Sequence, residues 1–270
     1  MSNLLKNFLE EYGYNIVALP KEDIKPLTLL CQDGVSVISL DSSISTLFTS
    51  DEKAPPSVLH NTITGDIVGS TAASFDSTTG VSLLSWLLDK LKVGKLEGKV
   101  DIDSNKVLTF KYQEVREDKI KLGELDGYLT EAAPVKNKFR TYEDKLRKSA
   151  LFVINSVLKS NSFTVTIEDK SGAAVDVAAT IKGIADISQN IKVASKNSIS
   201  VTSPGETFLV FAFKAQHIFF DRPGFWATFF GDPGATLGFT IKNATGLVLR
   251  GEEDFPAERL PVFAGQAVLR

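Results

Sequence analysis

The sequence predicts an α+β fold in which one long, twisted, mainly antiparallel sheet carries a few peripheral helices. Three observations lead there. Several segments alternate apolar and polar side chains at period two, as strands with one buried face do. One segment, Val81–Leu91, carries a clear helical stripe. Strands and helices do not alternate regularly along the chain, which argues against a doubly wound parallel sheet.

The elements follow in order. Leu4, Leu5, Phe8, Leu9 and Tyr12 share one helical face, and Gly13 is a natural stop. Ile16–Leu19 and Leu27–Leu30 read as short strands, with Val35–Leu40 a third after the Asp33-Gly34 turn. Pro55-Pro56 marks a loop, and residues 62–80 are small and polar with turn residues throughout. Leu83, Leu84, Leu87, Leu88 and Leu91, with Trp86 beside them, make a core helix that Gly94 closes. A long hairpin is expected next, Leu96–Asp103 with Lys106–Glu114 across Ser104-Asn105. Val100 and Ile102, with Leu108, Phe110 and Tyr112, make its one apolar face, and the other face is mostly polar. Val115–Glu131 is charged and partly helical, and Lys136–Lys148 is basic. Leu151–Lys159 is strongly apolar. Ser162–Asp169 alternates around Phe163, Val165 and Ile167, and turns at Lys170-Ser171-Gly172. Its expected partner alternates around Val175, Val177, Ala179 and Ile181. Residues 187–201 continue in the same manner, and residues 206–220 form the most apolar strand.

Composition narrows the function. At 270 residues the chain can bury one large core or two small ones. A net charge of −3 gives no global field for nucleic acid. The single cysteine, Cys31, forms no internal disulfide and points to a reducing compartment. The start has no basic region followed by a long apolar core, as a signal peptide would. No segment approaches the ~20 apolar residues of a spanning helix. The expectation is a chain stored soluble in the cytoplasm.

Chemistry is sparse. His60 and His217 are the only histidines, and neither reads as a catalytic base. Cys31 lies in an apolar run, where a structural thiol is the default. Dinucleotide, phosphate-loop and nucleophile-elbow motifs are missing, and no zinc spacing can be assembled. Asp101 with Asp103, and Glu252-Glu253-Asp254, read as solvated carboxylates. No enzyme, cofactor or metal is expected.

The two alternating hairpins are the useful feature. A membrane-spanning strand needs ~9–11 residues with alternating faces. Backbone groups in lipid must pair, so such strands work only in a closed barrel that many copies build together. Period two is also what an ordinary half-buried sheet shows.

Tyr12-Gly-Tyr-Asn-Ile-Val-Ala-Leu-Pro20, followed by Lys25-Pro26-Leu27-Thr28-Leu29-Leu30, resembles the opening of the gasdermins, most closely their short bacterial form. The order of elements is similar over residues 4–240. The resemblance implies a gasdermin N-domain-like fold held as an autoinhibited soluble monomer. It implies a pore-forming domain over 1–246 and a connector with an inhibitory peptide over 247–270. Removal of that peptide by a caspase-like or trypsin-like protease would release a toxin-like effector. The freed part would then self-oligomerise into a β-barrel pore with membrane lipids of the bacterial inner membrane, causing cell death as antiviral defence against phage. Many family members carry an acylated cysteine near residue three or four; Asn3 and Leu4 stand there instead.

Site residues follow from that reading. Asn243–Asp254 looks like an exposed connector, with a cut expected between Thr245 and Gly251. Leu247 is the first choice before the scissile bond and Arg250 the second. Leu247 and Leu249 equally fit a strand continued from Phe239. Phe255, Leu260, Val262, Phe263, Val268 and Leu269 would dock the tail. Lys136, Lys138, Arg140, Lys145, Arg147 and Lys148 would meet lipid headgroups. The competing class is a non-lytic binding or scaffold protein with a large sheet.

Overall fold

The structure, a computed structural model, describes residues 11–33, 36–63, 72–93, 105–135, 150–171, 173, 190–203, 207–220, 239–245, 247–249 and 268–269. Its first half runs β1 (Asn15–Lys21), β2 (Thr28–Asp33), β3 (Ser36–Ser43), α1 (Ile44–Leu47), β4 (Phe48–Thr49), β5 (Leu59–Ile63), β6 (Ala72–Asp76) and α2 (Ser77–Lys90). Then come β7 (Lys106–Gln113), β8 (Arg116–Lys119), α3 (Leu122–Glu131), β9 (Ala133–Pro134), β10 (Leu151–Ser160), β11 (Ser162–Asp169), β12 (Ile191–Ser195) and β13 (Ser198–Thr202). The chain closes with β14 (Leu209–Phe220), β15 (Phe239–Thr245), β16 (Val248–Leu249) and β17 (Val268–Leu269).

Two sheets carry the fold. The larger has ten strands in the order β17-β15-β14-β1-β16-β3-β2-β10-β8-β5, and β14 also pairs with β10. That extra pairing closes β14-β1-β16-β3-β2-β10 into a ring of six strands. The reason is visible in burial. β1 and β10 are apolar on both faces and buried almost throughout, so each needs a neighbour on every side. One apolar cluster draws on all six staves: Val17, Leu30, Val37, Phe152, Phe213 and Leu249 stand for them in turn. The pairings around the ring are antiparallel except those of β16, which runs parallel to both β1 and β3.

The smaller sheet has the order β12-β13-β11-β7-β6, antiparallel throughout. Its apolar face packs on α2 and on the outer face of β1 and β14, through Leu84, Leu87, Phe110, Val165 and Phe211. Tyr112 of β7 stacks on Phe211 of β14 with ring centroids 4.2 Å apart, which ties the two sheets together.

Several expected elements differ. Helix α2 begins at Ser77 rather than Val81, and β6 precedes it inside the stretch read as loop. The charged 115–131 stretch splits into β8 and α3. The partners of β7 and β11 are not the ones expected. Both edges of β7 are taken, by β6 and β11, where Leu96–Asp103 was expected. β11 likewise takes β7 and β13 as neighbours in place of the Val175–Lys182 strand. Val100, Ile102, Val175, Val177, Ala179 and Ile181 themselves lie outside the described residues, as does the Leu4–Leu9 part of the first helix. Gly13 does turn the chain, at φ +73°.

Candidate functional site

The C-terminal segment is built into the ring. β15 pairs antiparallel with β14, and within a few residues β16, running in the same direction as β15, pairs between β1 and β3. Val248 lies opposite Ile16, and Leu249 opposite both Val17 and Val37. Leu247 is 3% exposed and Leu249 0%. The ladder breaks between β15 and β16, and one side chain bridges the break. Asn15 is itself 2% exposed; its Nδ2 donates to the Ala244 carbonyl at 2.9 Å, and its Oδ1 accepts from the Leu247 N–H at 2.8 Å. An asparagine suits this place because it offers a donor and an acceptor in one planar group. Ile16 N–H then donates to the Leu247 carbonyl at 3.4 Å.

The connector is therefore not open along its length. Lys242 and Asn243 are exposed, while Leu247 and Leu249 are buried; β15 ends at Thr245, and Leu249 lies in the separate strand β16. The 246/247 boundary expected between domains falls inside this sheet. Val268 and Leu269 form β17, which pairs antiparallel with β15 and ends the sheet. Arg250, Phe255, Leu260, Val262 and Phe263 lie outside the described residues, as do Lys136, Lys138, Arg140, Lys145, Arg147 and Lys148.

The apolar stripes of the two alternating segments meet each other. Tyr112 pairs with Phe163, Phe110 with Val165, and Leu108 with Ile167, all across β7 and β11. All six are buried. Helix α2 lies over this stripe with Leu83, Leu84, Leu87, Leu88 and Leu91. Gly80 makes the approach possible, since a Cβ there would come within 2.7 Å of Leu108 Cβ. Trp86 Nε1 donates to the Pro20 carbonyl at 3.1 Å and fixes the helix to the end of β1.

Beside β1 sits a polar cluster that the sequence did not reveal. Tyr14 donates to Glu117 Oε1 at 2.7 Å, Ser156 Oγ to the same oxygen at 2.6 Å, and Lys119 Nζ to Oε2 at 2.7 Å. Burial pushes the Glu117 carboxyl up, but the bonds from Lys119, Ser156 and Tyr14 outweigh it and hold it below the usual carboxylate range. Asp118 behaves alike. Burial raises it, and Lys159, the Asn61 N–H and His60 together bring it lower. Burial also drives the Tyr14 hydroxyl well above its ordinary value. Every residue of the four-residue strand Arg-Glu-Asp-Lys is charged, yet both acids are buried.

Catalytic chemistry gathers nowhere among the described residues. His60 meets Asp118 at 3.3 Å near the surface, His217 packs on Phe152, and Cys31 is buried and outside any disulfide. Among the described residues no three of His, Cys, Asp or Glu could hold a metal ion, and no helix is long and apolar enough to cross a membrane.

Comparison with known proteins agrees with this geometry. The family model described as Bacterial Gasdermin Family matches residues 17–225. A gasdermin of Gillisia limnaea is 43% identical over 260 residues, covering 96% of this chain and 97% of that protein. Another gasdermin, from an unknown prokaryotic organism, is 31% identical over 267 residues and covers 98% of each. A solved bacterial gasdermin from Bradyrhizobium tropiciagri shares the fold at a TM-score of 0.51 and 11% identity, over 93% of this chain and 98% of that one.

Proposed function

The chain belongs to the bacterial gasdermin family, whose members are pore-forming effectors rather than enzymes, and from that premise we propose how this one is held and released. It is stored as an autoinhibited soluble monomer in the cytoplasm. A caspase-like or trypsin-like protease cuts between Thr245 and Gly251. Residues 1–246 are the pore-forming part and 247–270 the inhibitory part. The freed part self-oligomerises into a large β-barrel pore in the bacterial inner membrane and kills the cell, a toxin-like outcome suited to antiphage defence. Lys136–Lys148 meets lipid headgroups, and the β7 and β11 stripe turns from α2 to lipid.

The observation that carries this reading is the place of β16. Its withdrawal would leave β1 and β3 each with an unpaired edge, and unpaired edges are templates for pairing with another chain. It would also take Leu247 and Leu249 out of the ring cluster. Before the cut, the segment re-docks from within the same chain at high effective concentration; after it, docking is bimolecular. Leu247 remains the first proposed residue before the scissile bond and Arg250 the second. Leu247 must leave the sheet to be cut, so cleavage there draws on local opening.

The test uses dye-loaded anionic liposomes and protein carrying an inserted protease site at Gly246. Leakage that appears only after cutting supports the reading. Sealed vesicles after complete cutting refute it.

A further inference from the structure

The pocket beside Tyr14 has a charge that the pore-forming reading does not use. Register alone builds its floor. Lys119 of β8 lies opposite Ser156 of β10, and Ser156 opposite Lys214 of β14. Gln216 of β14 lies opposite Asn243 of β15, and Asn155 joins them at the bulge in β10. Gly13 closes over one side, where a Cβ would come within 3.7 Å of Asn243 Nδ2. The resulting pocket, open on one side, has a volume of about 430 Å³, within the ~300–1,000 Å³ typical of small-ligand sites.

The charges in it do not balance. Glu117 is already saturated by Tyr14, Ser156 and Lys119, and Lys119 answers its charge. Among the described residues Lys214 makes no ion pair with a carboxylate, and its ammonium sits 4.3 Å from the centroid of the Tyr14 ring. It is half-buried, and burial holds its pKa below the ordinary lysine value, with Glu117 pulling up and Lys119 pushing down. A ring face answers a partly desolvated cation less fully than a paired anion does. The amides point the same way. Gln216 Nε2 donates to Asn155 Oδ1 at 3.2 Å and to Asn243 Oδ1 at 3.4 Å. Those contacts occupy the two oxygens and leave the two Nδ2 groups as donors. The unused capacity of the pocket is thus positive and hydrogen-donating.

We propose that this pocket binds a compact phosphate group, held between Lys214 and Lys119 with Asn155 and Asn243 as further donors. A tetrahedral oxyanion has enough acceptors to meet four donors arranged around it, which a carboxylate does less completely. The ligand bridges β8, β10, β14 and β15 in the uncut chain, next to the Asn15 contacts that hold the C-terminal segment. Bound phosphate stabilises that state by mass action. The site stands on the uncut chain alone, so it holds or falls independently of the pore.

Calorimetric titration of the uncut chain with inorganic phosphate and with glycerol 3-phosphate, at ionic strength fixed by chloride, is the test. Saturable one-site binding is expected, weakened at least tenfold in Lys214→Gln and kept in Lys214→Arg. Asn243→Ala, which removes an exposed donor, is expected to weaken binding severalfold and keeps the test decisive if Lys214→Gln folds poorly. No saturable heat, or wild-type binding in both Lys214→Gln and Asn243→Ala, overturns the proposal. Co-sedimentation with phosphatidate-containing vesicles identifies the source. Capture that free phosphate competes away and Lys214→Gln loses assigns a lipid headgroup; titration without capture assigns a soluble phosphate ester.

Discussion

β16 and β17 are both two residues long, and both read Val-Leu. β16 is paired on both edges, parallel, inside a closed ring; β17 is paired on one edge, antiparallel, at the end of the sheet. Identical dipeptides therefore carry different shares of the hold on the C-terminal segment. The difference comes from where the rest of the chain leaves vacancies. β1 and β3 need a neighbour that no other strand supplies, whereas β15 has already found β14. Buried, doubly paired backbone is costly to expose, and edge backbone can return to water.

Four changes probe that contrast, in falling order of effect. Leu249→Ala removes a fully buried side chain of the ring cluster and is expected to cost about 2–5 kcal/mol in denaturant unfolding. Asn15→Ala leaves the Leu247 N–H and the Ala244 carbonyl without their partner. At ~1–2 kcal/mol for each orphaned buried group, the lower part of the usual range, it should cost about 2–4 kcal/mol and raise leakage from uncut protein. A variant as stable as wild type would show that the asparagine is not a latch.

Acid comes third. Glu117 and Asp118 have folded pKa values below their unfolded ones, so the folded state binds fewer protons between the two values. Their contribution is fully present above the ordinary carboxylate range near ~4 and is lost as pH falls through the lower folded values. Thermal melts should therefore fall steeply below about pH 4, and the fall should be blunted in Glu117→Gln. Because Glu117 holds Tyr14, next to Asn15, acidification should lower the amide-exchange protection of β16 by a larger factor than that of β17. Last is Leu269→Pro, which removes at most one ladder hydrogen bond at the sheet edge and should cost about 0.5–1.5 kcal/mol. A loss larger than that of Leu249→Ala would reverse the ranking of the two strands.

Much of this fold is legible where a strand announces itself locally. β1, β10 and β14 are apolar runs, and β11 alternates cleanly, so each was readable from composition and period. The leucine stripe gave α2 for the same reason. Partner choice was not legible. β7 and β11 look like halves of two hairpins, yet they pair with each other, because alternation says which face is buried and not which edge is taken. β6, Ala-Ala-Ser-Phe-Asp, has no strong period of its own and exists because β7 offers an edge. β16 is fixed by residues more than two hundred positions away, and Val-Leu carries no trace of that. Nor does Asn15 stand out in an apolar strand until its two contacts are seen. The burial of Glu117 and Asp118 was not legible for a related reason: in a run of charges, it is decided by the strands on either side.

Cutting the chain on either side of β16 separates its contribution from that of β17. One variant takes an inserted protease site at Gly246, the other a site immediately after Arg250, and dye release from anionic liposomes is timed for both. If β16 is the principal hold, cutting at Gly246 opens vesicles at least ten times faster than cutting after Arg250, which severs β17 and leaves β16 joined to the sheet. Equal rates from the two cuts would contradict it.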